Sequence, residues 1–167
     1  MKRIWAPWRM EYILYDKLAG CILCVPEQQT NDRQGLIIYR SSHSFVMLNR
    51  YPYTNGHLLI APYRHTAEID NLSDEEMLNI SATLRQCCSI LRRTIGPDGF
   101  NIGINLGKAA GAGVDEHIHI HVVPRWNGDT NFMSVMTDIR IMPENLLDTY
   151  DMLLPSFMEF SRPSEKP

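Results

Sequence analysis

The 167-residue sequence is compatible with an α+β fold. Three observations carry this. Residues 117–125, His-Ile-His-Ile-His-Val-Val-Pro-Arg, alternate with the period of a β-strand. A capping box at Ser73 opens one long amphipathic helix. Short apolar runs bounded by turn residues lie before and after that helix.

The length suits one domain with a real core, not comfortably two. Hydrophobic residues make up 44% and charged residues 21%, ordinary for a soluble globular protein. The net charge of −3 offers no basic excess, so bulk binding to nucleic acid or a membrane surface is not favoured. An anionic ligand would need a local cationic or amide-rich site. No apolar run approaches a transmembrane span. Pro7, Arg9 and Glu11 interrupt the basic start before any signal-type apolar region. The chain reads as cytoplasmic. Cys21, Cys24, Cys87 and Cys88 fit that, because two close pairs are not a secreted disulfide framework.

Taken in order, residues 1–20 read as an arm containing Trp5, Trp8, Tyr12 and Tyr15. The arm either packs on the domain or offers an aromatic platform near a base-binding pocket. The domain would span 21–160, with a disordered tail over 161–167. Cys21-Ile22-Leu23-Cys24 can be half a zinc site, a redox couple or two packed cysteines. A loop with Pro26 and Asn31 follows, not the helix a redox motif would open, which favours metal. Leu36–Tyr39 and Phe45–Leu48 read as short strands joined by a turn, where His43 reads as solvated. Turn residues Pro52 and Asn55-Gly56 follow. His57 then starts another strand to Pro62, and His65 lies just beyond it.

Ser73 and Glu76 form the capping box. Met77, Ile80, Leu84, Cys87, Cys88, Leu91 and Ile95 follow helical spacing until Gly96-Pro97. Cys87 and Cys88 are therefore packing residues. Phe100–Asn105 alternates as a strand. Gly107–Gly113 is glycine-rich but is no P-loop, since no Ser or Thr follows Lys108. It could let backbone N–H groups approach an anion, or simply connect a hairpin. Residues 126–129 form a turn and 131–141 are ambiguous. Pro143-Glu144 opens a final helix to about Leu154, with Leu146, Leu147, Tyr150 and Leu154 on one face.

In the 117–125 strand, Ile118, Ile120 and Val122 would face a core. His117, His119 and His121 would line the other side at roughly 6–7 Å per step. Such a row can bind metal, perform nucleophilic or acid–base chemistry, or be a hydrogen-bonded structural row. Three polar rings in strict alternation are expensive to bury without a partner or a task, which disfavours the last.

His-φ-His-φ-His-φ-φ resembles the signature of the histidine triad family of nucleotide hydrolases and transferases. Asn49 followed by Gly56-His57-Leu58-Leu59-Ile60 and the loop Asn105–Gly113 resemble other family features in order and spacing. Residues 124–132 resemble the branch with fragile-histidine-triad-like hydrolases and diadenosine tetraphosphate phosphorylases. The resemblance covers about residues 20–135. It implies an antiparallel sheet of about five strands with two main helices, and a homodimer using the helix from Ser73.

It also implies roles. His119 would attack the α-phosphorus of a diadenosine polyphosphate and form a nucleotidyl-histidine intermediate. His121 and His57 would bind the phosphate oxygens, with no catalytic metal. Cys21, Cys24, His65 and His117 match the ligands of a structural zinc in family members that contain one. Met47, Asn49 and Leu59 match the nucleoside pocket. Asn105, Gly111, Ala112 and Gly113 fall where the phosphate loop lies. Many members carry Gln or Ser just before the ladder. This chain has Gly111-Ala112-Gly113-Val114, so main-chain donors or Asn105 would substitute. Rival readings are an adenosine phosphoramidate hydrolase, a nucleotide-binding sensor, and a metallohydrolase holding zinc on the ladder.

Overall fold

A computed structural model of the chain describes residues 20–25, 31–129 and 144–161. The arm over 1–19, the stretch 131–141 and the tail from 162 lie outside the described residues.

Five strands form one sheet: β1 (Ile37–Arg40), β2 (Ser44–Leu48), β3 (Leu58–Pro62), β4 (Gly99–Ile104) and β5 (Ile120–Arg125). The order is β1-β2-β3-β5-β4, antiparallel throughout. A four-residue helix α1 (Asp32–Gly35) precedes the sheet. The long helix α2 (Asp74–Thr94) crosses from β3 to β4, and α3 (Leu146–Ser161) closes the described chain. Among the described residues, no helix is long and apolar enough to cross a membrane.

Sequence alternation sets the two faces of the sheet. Ile38, Val46, Leu48, Leu58, Ile60, Ile120 and Val122 pack against Ile80, Cys87, Leu91, Leu153 and Phe157 of the helices. Ile37, Phe45, Met47, Leu59 and Ala61 face the other way, with Leu23 completing a second cluster. The α2 terminus is built as expected. Ser73 Oγ accepts the Glu76 N–H (3.2 Å), and Glu76 accepts the Ser73 N–H (2.7 Å). Cys87 and Cys88 are buried on the core face of α2, the packing role expected of them.

Two elements differ from expectation. The 117–125 run joins the ladder only at Ile120. Ile120 pairs with Ile60 on one side and with Ile104 on the other. β4 ends there, and β3 runs on to Pro62 without pairing with residues 117–119. Ahead of it, the Ile118 N–H is taken instead by the Thr66 carbonyl at 2.7 Å. The final helix runs to Ser161, past Pro155. Its core face is Tyr150, Leu153 and Phe157, while Leu147 is 40% exposed. Pro155 denies the Asp151 carbonyl its N–H partner, yet both residues lie on the solvent side, where water can substitute.

The turn from Asn49 to Gly56 sets the start of β3. Asn49 N–H donates to the His57 carbonyl (2.9 Å). Gly56 has φ +72°, and a Cβ there would sit 2.7 Å from Ile95 Cδ1. Gly96 is also left-handed, at φ +56°, but a Cβ there meets open space. Gly96→Ala should therefore cost only the conformational penalty, about 1–2 kcal/mol. Gly56→Ala adds crowding in the core, for a total of about 2–4 kcal/mol. Urea unfolding of the two variants measures the difference.

Candidate functional site

One cross-strand row organises the site. Directly opposed residues share a face, so the pairs Ile37–Met47, Met47–Leu59, Leu59–His121 and His121–Gly103 place these residues in line on the face opposite α2 and α3. An apolar strip of three residues thus leads to an imidazole. Beyond it lies Gly103, over which a Cβ would meet nothing within 4 Å.

His57, His119 and His121 come together at the end of this strip. The His119 and His121 rings are 4.9 Å apart and edge-on, and His57 and His121 are 5.2 Å apart. Hydrogen bonds fix which nitrogen carries each proton. The Tyr53 backbone N–H can only donate, and it points at His57 Nδ1 (3.0 Å). His57 Nδ1 is therefore an acceptor, and the neutral ring carries its proton on Nε2. That proton is donated to His121 Nδ1, 3.0 Å away. His121, accepting at Nδ1, then presents Nε2–H. The Asn49 amide adds a second donor toward His57 Nδ1 (3.3 Å), while its Oδ1 accepts the Tyr51 N–H.

His119 is oriented oppositely. Its Nδ1 lies 2.8 Å from the His117 carbonyl, which can only accept. A proton is thus on Nδ1, and in the neutral ring Nε2 is the nitrogen that holds the lone pair. The ring is 4% exposed. Burial, and secondarily the neighbouring His119, push the His121 pKa down to about 4. His121 therefore stays neutral at physiological pH, as its hydrogen bonds require.

A second cluster lies one residue pair upstream. Cys21, Cys24, His65 and His117 bring four ligand atoms within 4.8 Å of one another. Cys21 Sγ is 3.4 Å and Cys24 Sγ 3.8 Å from His117 Nδ1, and Cys24 Sγ is 3.1 Å from His65 Nδ1. The edges of a tetrahedral Zn–S/Zn–N site are about 3.4–3.8 Å for its usual bond lengths. The donor set suits a closed tetrahedral metal, and the two contacts to His117, at 3.4 and 3.8 Å, lie on those edges. His117 Nε2 donates to the Pro62 carbonyl (2.9 Å), which leaves Nδ1 unprotonated for coordination. Desolvation, and then the neighbouring Cys21, hold the Cys24 thiol above the ordinary range. A dication would relieve that cost.

A cavity of about 760 Å³ adjoins the apolar strip. Met47, Asn49, Leu59 and Gly113 line it, alongside Gln34 and Ile37. Asn105, Gly111 and Ala112 do not. The Gly111 and Ala112 N–H groups donate within their own loop, to Lys108 and Gly107 carbonyls. Sequence reasoning missed Tyr53, whose N–H sets the His57 tautomer and whose ring stacks on His121 at 5.9 Å and 18°. It also missed the Pro62 and Thr66 carbonyls that hold the ladder's entry. The Pro52 turn just ahead of Gly56-His57 was the available signal for a close return of residue 53 onto residue 57.

Residues 30–128 match the family model described as HIT domain. The chain is 35% identical over 161 residues to an AP-4-A phosphorylase of Mycobacterium tuberculosis, covering 92% of this chain and 83% of that one. It is 33% identical over 93 residues to a bis(5'-adenosyl)-triphosphatase of Dictyostelium discoideum, covering 56% and 62%. Among solved structures, a zinc-bound histidine triad protein from Mycobacterium smegmatis superposes with a TM-score of 0.65 at 29% identity, covering 84% of this chain and 95% of that one.

The depressed His121 pKa has a signed consequence. The unfolded chain takes up this proton near the ordinary histidine value of 6.5, the folded chain only near 4. Stability from keeping this ring neutral is complete above pH 6.5 and is lost progressively as pH falls toward 4. The melting temperature should decline through that window. The decline should be shallower in His121→Asn, read by circular dichroism melts across pH.

Proposed function

Because the chain belongs to the histidine triad family, we propose that it cleaves diadenosine polyphosphates at the α-phosphate through a nucleotidyl-histidine intermediate on His119. The observation that carries this is the His119 Nδ1–His117 carbonyl bond, which turns Nε2 outward as the nitrogen that bears the lone pair in the neutral ring. Nε2 attacks the α-phosphorus. The bond from phosphorus to the bridging oxygen breaks, and the polyphosphate nucleotide leaves with the electron pair. The ring then carries positive charge, and the His117 carbonyl stabilises its Nδ1–H. His121 Nε2–H donates to the phosphate oxygens, backed by His57, so charge growing there meets a fixed donor. In the second step an acceptor oxygen attacks the same phosphorus and frees Nε2.

The base and ribose occupy the cavity over Ile37, Met47 and Leu59, with Asn49 at its edge toward His57. A cavity of this volume is in the range of small-molecule sites. The relative that matches nearly the whole chain is named a phosphorylase, which favours inorganic phosphate as acceptor. Zinc is the proposed metal of the Cys21, Cys24, His65 and His117 cluster. It would tie residues 21–24 to the start of the histidine run. Separate placement of that cluster and of His119 favours this over a metallohydrolase. Assembly as a homodimer belongs to the same reading. Ile102 on the sheet-edge strand β4 and Leu78 on α2 are exposed apolar side chains available for it.

Incubation with diadenosine tetraphosphate should give ADP and ATP in a phosphate-dependent manner. AMP and ATP without phosphate would select hydrolysis instead. His119→Asn should lower turnover by at least about 10⁴-fold, the scale for removing a nucleophile, while AMP still binds by calorimetry. Binding without turnover in the wild type, with any dinucleotide or phosphoramidate, would leave a nucleotide sensor. Metal analysis should find one zinc per chain, lost in Cys21→Ser/Cys24→Ser while His119 and His121 remain.

A further inference from the structure

The metal cluster and the cavity share walls. Residues Gly20 to Val25 line part of the cavity, and Gly113 to Glu116, immediately before His117, line another part. Leu23 lies between the two thiol residues and is fully buried against the second core cluster, which contains Ile37, Met47 and Leu59. Cys21 and Val25 pack against the same cluster. Among the described residues, the hydrogen bonds that leave 20–25 run from the two thiols to His65 and His117. The other two bonds of this segment are internal, Cys24 N–H to Cys21 and Val25 N–H to Leu23. Among the described residues, the polar tie from this wall to the rest of the domain is therefore the ligand set itself.

We infer that metal and nucleotide bind cooperatively, because residues 21–25 are at once the metal knuckle and a wall of the base cavity. A cation that joins Cys21 and Cys24 to His65 and His117 fixes the wall against which the base packs. A base held between Leu59 and that wall in turn keeps the ligands together. Coupling between two sites is reciprocal. Whatever the cation adds to nucleotide affinity, the nucleotide adds to cation affinity. The inference rests on the cavity being the base site, as proposed above. The coupling follows from the base and not from the phosphate, which sits at the histidines.

The test uses the full zinc-loaded chain. Zinc transfer to an excess of a chromophoric chelator is timed alone, with saturating AMP, and with saturating ribose 5-phosphate, which lacks the base. Photolabelling with 8-azido-AMP, followed by peptide mapping, reports where the base lies. The expected result is label on peptides lining the cavity, together with zinc release slowed about fivefold or more by AMP and little by ribose 5-phosphate. Label in the cavity with release unchanged, or slowed equally by both ligands, overturns the coupling and leaves the base site standing. Label elsewhere removes the base site, and the coupling with it.

Discussion

A single backbone carbonyl, that of His117, separates the two histidine-containing clusters of this protein. It accepts the Nδ1–H of His119 at 2.8 Å, which turns Nε2 of that ring outward and selects the Nδ1–H tautomer of its neutral form. The side chain of the same residue turns to the thiols, its Nε2–H held by the Pro62 carbonyl. Both are possible because the run leaves the β-ladder ahead of Ile120. Inside a regular ladder that carbonyl would belong to a neighbouring strand. The short departure from regular pairing, secured by the Ile118–Thr66 bond, lets adjacent histidines of one face serve different purposes.

The rest of the site follows from satisfying buried imidazoles. His57 and His117 are almost fully inaccessible and His119 nearly so. Polar rings so placed are costly unless each nitrogen has a partner. Here a chain of bonds runs from the Tyr53 N–H through His57 to His121, and it has one sense only. Burial keeps His121 neutral, so the chain ends on an N–H donor and not on a fixed positive charge. Such a donor stabilises an oxyanion as charge develops, without binding every passing anion strongly beforehand.

Much of this was legible in the sequence, and for physical reasons. Alternation placed Ile120 and Val122 in the core and the histidines opposite, because sheet faces repeat every second residue. Ser73 and Glu76 marked a helix start that depends only on local hydrogen bonds. The Cys21–His117 and Cys24–His65 proximity was not readable from spacing alone. It rested on the family resemblance, and the geometry brings the four together. Three things were hidden. The extension of α3 past Pro155 depends on which side of the helix is solvated, which propensity does not reveal. The end of pairing at Ile120 coincides with the end of β4 at Ile104, while β3 runs on to Pro62. The role of Tyr53 is carried by its backbone N–H, which every non-proline residue possesses. Asn105, Gly111 and Ala112 do not line the cavity, and the Gly111 and Ala112 N–H groups are taken by carbonyls of their own loop.

The proposed mechanism requires phosphorus to bond to one particular nitrogen, Nε2 of His119. Rapid acid-free quenching of the enzyme with diadenosine tetraphosphate, followed by intact mass and peptide mapping, looks for that bond directly. An adenylyl group on the peptide carrying His119, absent in His119→Asn and discharged as ADP on adding phosphate, is the predicted result. Turnover without any covalent adduct, or an adduct on His121 or His57 instead, would contradict it.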